Sequence, residues 1–232
     1  MGTRLKTLWV ICLLLICVAC SGQSGNWETF IGAGSSWLEI PATYYGGTGN
    51  FGRFTYIIDE ENGGMSAIVG IHYARPLKGR LLLVGGTEIQ FLQGTFRFSR
   101  VYLSNVADPD RSDNVLITQK LFRIQLPVEL RKTVTNGFTF GAGVVPFWNF
   151  AKNQPLDEAA ERIMPQAEFE DPIQGGLGFK VLALKQVNKK MEISFQWFFD
   201  FQWRDYIQYS GGGYELYPEF QSLTLGFHYR FR

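Results

Sequence analysis

The chain has 232 residues, with 22 basic and 21 acidic side chains, 16% aromatics and three cysteines. That near balance excludes the strongly basic field on which nucleic-acid binding depends, so no nucleic-acid partner is expected. The cysteines, Cys12, Cys17 and Cys20, all lie close to the N-terminus. Without that leader, the chain can build neither a disulfide framework nor a thiolate metal site.

The leader reads as a secretory signal peptide over residues 1–22. Arg4 and Lys6 form a short basic region, and Leu8 to Ala19 is apolar. That run falls far short of the ~20 residues a spanning helix needs. The small residues Ala19, Ser21 and Gly22 follow, so cleavage after Gly22 is expected, leaving Gln23 first. Cys17-Val18-Ala19-Cys20 also resembles a lipobox with Cys20 as the acylated residue. Its first position is a cysteine rather than a larger aliphatic, which favours simple cleavage. Removing Arg4 and Lys6 leaves 20 basic residues against 21 acidic ones.

Residues 23–232 hold eight strand-like segments. Alternation of side chains, rather than mean hydropathy, carries the signal of a barrel wall. Thr29 to Ile40 is weakly patterned, with Phe30, Leu38 and Ile40 on one face and Glu39 on the other. Met65 to Pro76 puts Met65, Ala67, Val69, Ile71 and Tyr73 together. Leu81 to Phe96 sets Leu83, Thr87, Ile89 and Phe91 against Glu88 and Gln90. Gln119 to Thr133 sets Phe122, Ile124, Leu126, Val128 and Leu130 against Arg123, Gln125, Pro127, Glu129 and Arg131. Phe138 to Phe150 and Ile173 to Lys185 continue the pattern, with glycines and Lys180 on the polar side. Met191 to Trp203 is the strongest, with Phe195, Trp197, Phe199 and Phe201 facing one way and Gln196 and Asp200 the other. The last strand, Gln221 to Arg232, presents Leu223, Leu225, Phe227, Tyr229 and Phe231 on its greasy face.

The connections alternate as well. Lys78-Gly79-Arg80, Thr135-Asn136-Gly137 and Gln186 to Lys190 are short, and the second places Val134 opposite Phe138. Pro41 to Gly64, Arg97 to Thr118, Ala151 to Pro172 and Arg204 to Tyr217 are long. Short turns at one end and long loops at the other give an all-β, eight-stranded antiparallel transmembrane β-barrel of up-and-down meander topology. The short turns are expected in the periplasm and the long loops outside. Outer-membrane lipid, and the barrel-assembly machinery during insertion, are the partners such a wall requires. The long loops and the neighbouring rim, with Trp37, Tyr44, Tyr45, Phe54, Tyr56, Tyr206, Tyr209 and Tyr214, offer either an aromatic girdle or a surface for a protein partner. Leu156 to Met164 has the composition of a short surface helix.

Three hairpins carry a resemblance. They are GIHYARPLKGRLLLVGGTEIQF at 70–91, LFRIQLPVELRK at 121–132 running into NGFTFGAG at 136–143, and the terminal LTLGFHYRF. With these the chain resembles the PorT-like group of small eight-stranded outer-membrane barrels over roughly Thr29 to Phe231. The resemblance implies residence in the outer membrane and, for some members, a part in protein secretion and gliding. It supplies no catalytic residues to carry over.

The polar face defines the candidate chemistry. His72, Glu88, Arg123, Glu129, Arg131, Lys180 and Asp200 all have inward parity, as do Glu192 and Arg230. An eight-stranded barrel is barely wide enough for side chains, and buried charges need partners, so a salt-bridged plug is expected. If Leu77 opposes Leu81, His72 falls opposite Gly86 and diagonal to Glu88. His228 lies near the inner rim. Neither histidine sits at the outer rim, where barrel enzymes keep theirs. No Gly-x-Ser-x-Gly occurs, and Gly175-Gly176-Leu177-Gly178 lacks a strand-to-helix context. No catalytic, cofactor-binding or metal residue is assigned. A structural or anchoring barrel is the leading reading, with an outer-membrane enzyme on lipid or peptide, and a narrow channel, as the alternatives.

Overall fold

The computed structural model describes residues 25–39, 45–49, 52–102, 113–135, 137–151, 167–168, 173–202, 207–209, 214–216 and 219–231. The expected leader, and the candidate helix at Leu156 to Met164, lie outside these residues. In chain order the strands are β1 (Asn26–Glu39), β2 (Tyr45–Gly49), β3 (Gly52–Asn62), β4 (Gly64–Pro76), β5 (Leu81–Tyr102), β6 (Asp113–Gln125) and β7 (Val128–Thr135). They continue as β8 (Phe138–Ala151), β9 (Ala167–Glu168), β10 (Ile173–Gln186), β11 (Met191–Gln202), β12 (Ile207–Tyr209), β13 (Tyr214–Leu216) and β14 (Glu219–Arg230). No helix occurs among the described residues.

The wall is a closed antiparallel ring of eight staves: β1, β4, β5, β6 with β7, β8, β10, β11 and β14. Closure is made by β1 against β14, from Glu28 opposite Arg230 to Glu39 opposite Glu219. A closed ring leaves no unpaired edge, which is what permits strands to cross lipid.

One stave is divided. Sequence alternation runs unbroken from Phe122 to Leu130, yet β6 stops at Gln125 and β7 starts at Val128. Pro127 lacks an N–H, and so does Pro146 on the facing strand, so ladder bonds drop out on this stretch. The chain itself does not slip. Gln125 opposes Phe147 before the gap and Val128 opposes Val144 after it, the same register. Leu126 N–H still donates to the Pro146 carbonyl at 2.9 Å, and Gly86 N–H to the Pro127 carbonyl at 3.2 Å. On the outer face Leu126 packs with Trp148 and Phe150, so Trp148 is nearly covered despite its outward parity.

The short turns differ in one detail from the sequence reading. Between β7 and β8 a bulge puts Thr135, not Val134, opposite Phe138. Gly137 closes that turn at φ 89°, a left-handed conformation that glycine adopts without strain. Val134 and Phe138 both remain exposed outside. Between β4 and β5, Leu77 N–H donates to the Leu81 carbonyl at 2.7 Å, fixing the register that sets His72 against Gly86.

At the other end the wall continues beyond the ring. The connection expected over Pro41 to Gly64 contains the β2–β3 hairpin, and β3 pairs with β5 from Phe54 opposite Tyr102 to Asn62 opposite Thr95. The strands β9, β12 and β13 form a small separate sheet.

The outer surface is apolar. Ile31, Val69, Ile89, Phe91, Phe140, Val181, Phe195, Trp197, Leu225 and Phe227 are all exposed on it. Tyr229 and Phe231 lie edge to face near the short-turn end, with ring centroids 5.2 Å apart. A soluble domain does not leave this much contiguous apolar area to water.

Candidate functional site in the barrel lumen

The inward face of each stave is buried, and much of it is polar. Glu28, His72, Glu88, Arg123, Glu129, Arg131, Lys180 and Asp200 are each at most 2% exposed. Single isolated charges at such depth would be very costly, so their partners decide what the lumen is.

In the half nearer the short turns the groups form one connected network. Lys180 Nζ lies 2.5 Å from Glu88 Oε1 and 2.9 Å from Glu129 Oε1. Arg131 donates through Nε to Glu129 Oε2 at 2.8 Å and through Nη1 to Glu28 Oε1 at 2.5 Å. His72 sits between two carboxylates, with Nε2 2.9 Å from Glu88 Oε1 and Nδ1 3.2 Å from Glu28 Oε1. Arg230 closes the inner end with a two-pronged contact to Glu192, both at 2.8 Å.

Two of these contacts reach across the lumen rather than along its wall. Around the ring, β5 and β10 are three staves apart, as are β7 and β1. Lys180–Glu88 and Arg131–Glu28 therefore tie nearly opposite walls together. The backbone allows it because small residues face the large ones. A Cβ on Gly86 would lie 2.5 Å from His72 Cδ2, and one on Gly226 would run into the Phe30 ring.

Toward the long-loop end the plug continues with other chemistry. Gln90 donates to Ser222 Oγ at 3.0 Å and Ser66 Oγ at 3.1 Å, and accepts from Gln125. Beyond it Arg123 pairs with Asp200 and donates to Asn149 Oδ1 at 2.6 Å. The Arg123 guanidinium lies 4.1 Å from the Phe147 ring centroid and 5.2 Å from that of Phe198. Asp200 also accepts from the Phe220 N–H at 2.8 Å.

The structure thus brings His72, Glu88, Glu129, Arg131 and Lys180 into one cluster and sets Arg123 with Asp200 in a second. Of the residues expected to face lipid, Phe195, Trp197, Leu225, Phe227, Tyr229 and Phe231 are exposed, and Phe199 and Leu223 are half-buried. The side chain of Phe201, and those of the loop aromatics from Tyr44 to Tyr56 and from Tyr206 to Tyr214, lie outside the described ones.

One stave has the opposite phase to that expected. Sequence alternation groups Phe30 with the apolar face, but it is 1% exposed and points inward. It stacks on His228 at a centroid distance of 4.5 Å and lies 6.1 Å from His72. The register correspondingly gives Glu39 the parity of exposed Ile31 rather than that of the lumen. Glu28, which joins Arg131, His72 and His228, escapes the sequence reading because the strand begins at Asn26, ahead of Thr29. Inward Phe30 is the available signal, since Glu28 shares its parity.

Solved structures show a likeness in fold. The outer membrane protein OprG from Pseudomonas aeruginosa superposes with a TM-score of 0.50 at 10% identity, over 88% of this chain and 96% of that one. Neisserial surface protein A gives 0.49 at 10% identity, over 90% of this chain and 100% of that one. The attachment invasion locus protein Ail of Yersinia pestis gives 0.39 at 12% identity, over 90% and 100%. No protein-family model matches the chain, and no curated protein matches it.

Proposed function

We propose that this chain is an outer-membrane β-barrel with a sealed lumen, serving as a membrane anchor and interaction surface and acting as an accessory of protein secretion. The observation that carries this reading is the lumen network. Its charges are spent on one another across the axis, as Lys180–Glu88 and Arg131–Glu28 illustrate. Such pairing holds walls together and leaves little path between them. The apolar outer wall supports residence in outer-membrane lipid, reached through a leader cleaved after Gly22 and insertion by the barrel-assembly machinery. The long-loop end is the surface for a protein partner. The link to secretion rests on the PorT-like resemblance of residues 70–91, 121–132, 136–143 and the closing strand.

The channel reading has one observation behind it. A vestibule of about 860 Å³ opens at the short-turn end, lined by Arg80, Thr133, Thr139, Lys185, Glu192 and Arg230 among others. It stops at the Arg230–Glu192 contact, and the Arg131, Glu28 and Lys180 contacts lie beyond.

Purification of the tagged chain from cross-linked native outer membranes tests the proposed role. Recovery of a secretion component at a fixed ratio, lost when the long loops are shortened, is the expected result. Normal secretion in a strain lacking the chain, with no such component recovered, would contradict it.

A further inference from the structure

Two imidazoles and one carboxylate converge inside the plug. His72, His228 and Glu28 come from three adjacent staves, β4, β14 and β1, and their donor atoms all lie within 4.8 Å of one another. His72 Nδ1 is 3.2 Å from Glu28 Oε1, and His228 Nδ1 is 3.4 Å from the same atom. Nitrogen and oxygen ligands sit about 2.0–2.1 Å from a zinc ion, so neighbouring donors of a tetrahedral site are about 3.3 Å apart.

Each imidazole is also held by its other nitrogen. His72 Nε2 meets Glu88 Oε1 at 2.9 Å, and His228 Nε2 meets Ser194 Oγ at 3.0 Å. Metal-binding histidines are oriented in this way, with the second ring N–H donated to a carboxylate or another oxygen. Two of the buried side-chain atoms without a hydrogen-bond partner belong to these residues, His228 Nδ1 and Glu28 Oε2. Both residues are 1% exposed, so water does not satisfy these atoms from outside the lumen. Arg131 donates to Glu28 Oε1, but a carboxylate oxygen has a second lone-pair direction. The surrounding charges fall one positive charge short of balance. Glu28, Glu88, Glu129 and Glu192 are set against only Arg131, Lys180 and Arg230.

We propose that Glu28, His72 and His228 bind one divalent transition-metal ion of the zinc type in the lumen. The Arg230–Glu192 contact separates the site from the vestibule, with Arg230 Nε 3.8 Å from Glu28 Oε2, so the ion is taken up as the barrel folds. An ion bound to three staves ties β14, β1 and β4 together at the seam where the barrel closes.

The full chain is folded into detergent in the presence of Co²⁺ or Zn²⁺, then dialysed, and its metal content is measured by mass spectrometry. About one ion per folded chain is expected, and Co²⁺ should give the visible absorption of a four-coordinate nitrogen and oxygen site. His228→Ala and His72→Gln, each checked for the heat-modifiable folded band, should lose the ion and the absorption. Ser66→Ala, in the lumen but away from the site, should keep both. Folded wild-type protein that retains no ion would overturn the proposal. Retention of the ion by a folded His228→Ala variant would overturn it equally.

Discussion

Arg123 on β6 and Asp200 on β11 form an ion pair across the lumen, 77 positions apart in sequence. Three rings, those of Phe147, Phe198 and Phe220, surround the guanidinium within 6.0 Å of their centroids. This pair plugs the outer half of the barrel as the Lys180 and Arg131 contacts plug the inner half.

Removing one member of that pair strands the other. Arg123→Ala is expected to destabilise the barrel by about 3–5 kcal/mol, the usual cost of an uncompensated buried charge. Arg123→Leu combined with Asp200→Asn should recover part of the loss, because the amide oxygen then present at position 200 can still accept from the Phe220 N–H. Thermal melts followed by the heat-modifiable gel band measure both. Additive losses in the double variant would show that the two residues do not act as a pair.

The outer wall makes a second prediction. Leu225 is 56% exposed on β14, among other apolar side chains. Leu225→Arg should cost about 2–4 kcal/mol if that surface meets the middle of a bilayer, whereas Val187→Arg in a short turn should cost about 0–1 kcal/mol. Unfolding in lipid vesicles gives the comparison. Equal effects would deny that β14 faces the hydrocarbon layer there.

Close packing at the seam gives a third. Gly226→Ala would drive a methyl into the Phe30 ring, which two imidazoles hold in place. A loss of about 1–3 kcal/mol is expected from this overpacking. Phe30→Leu alone should also destabilise, yet the double variant should lose less than the sum. A double-mutant cycle with no coupling would mean that the ring is free to move aside.

The sequence displays the wall better than it displays the plug. From Met191 to Phe199 the outward positions are large and apolar, so the phase of β11 is unmistakable. In β1 the run Gly32, Ala33, Gly34, Ser35, Ser36 has no preference for either face, and Leu38 and Ile40 set the phase the wrong way. Glu28 then drops out, and with it the point where Arg131, His72 and His228 meet. The proline break at Leu126–Pro127 leaves alternation intact and shows only as lost ladder bonds. The β2–β3 hairpin reads as loop because the alternation of Phe54, Tyr56 and Ile58 is brief, cut off by Asp59-Glu60-Glu61 and preceded by Gly46, Gly47, Gly49 and Gly52. Cross-lumen pairing is a property of closure, which places residues about three staves apart in contact. No local pattern encodes that distance.

Single-channel recording in planar bilayers shows whether the lumen is sealed by its own charges. Purified wild-type protein should show no steady conductance, and Arg123→Ala should melt earlier without opening a defined pore. A reproducible wild-type conductance whose ion selectivity changes in Arg123→Ala would contradict the sealed barrel and make the lumen a channel.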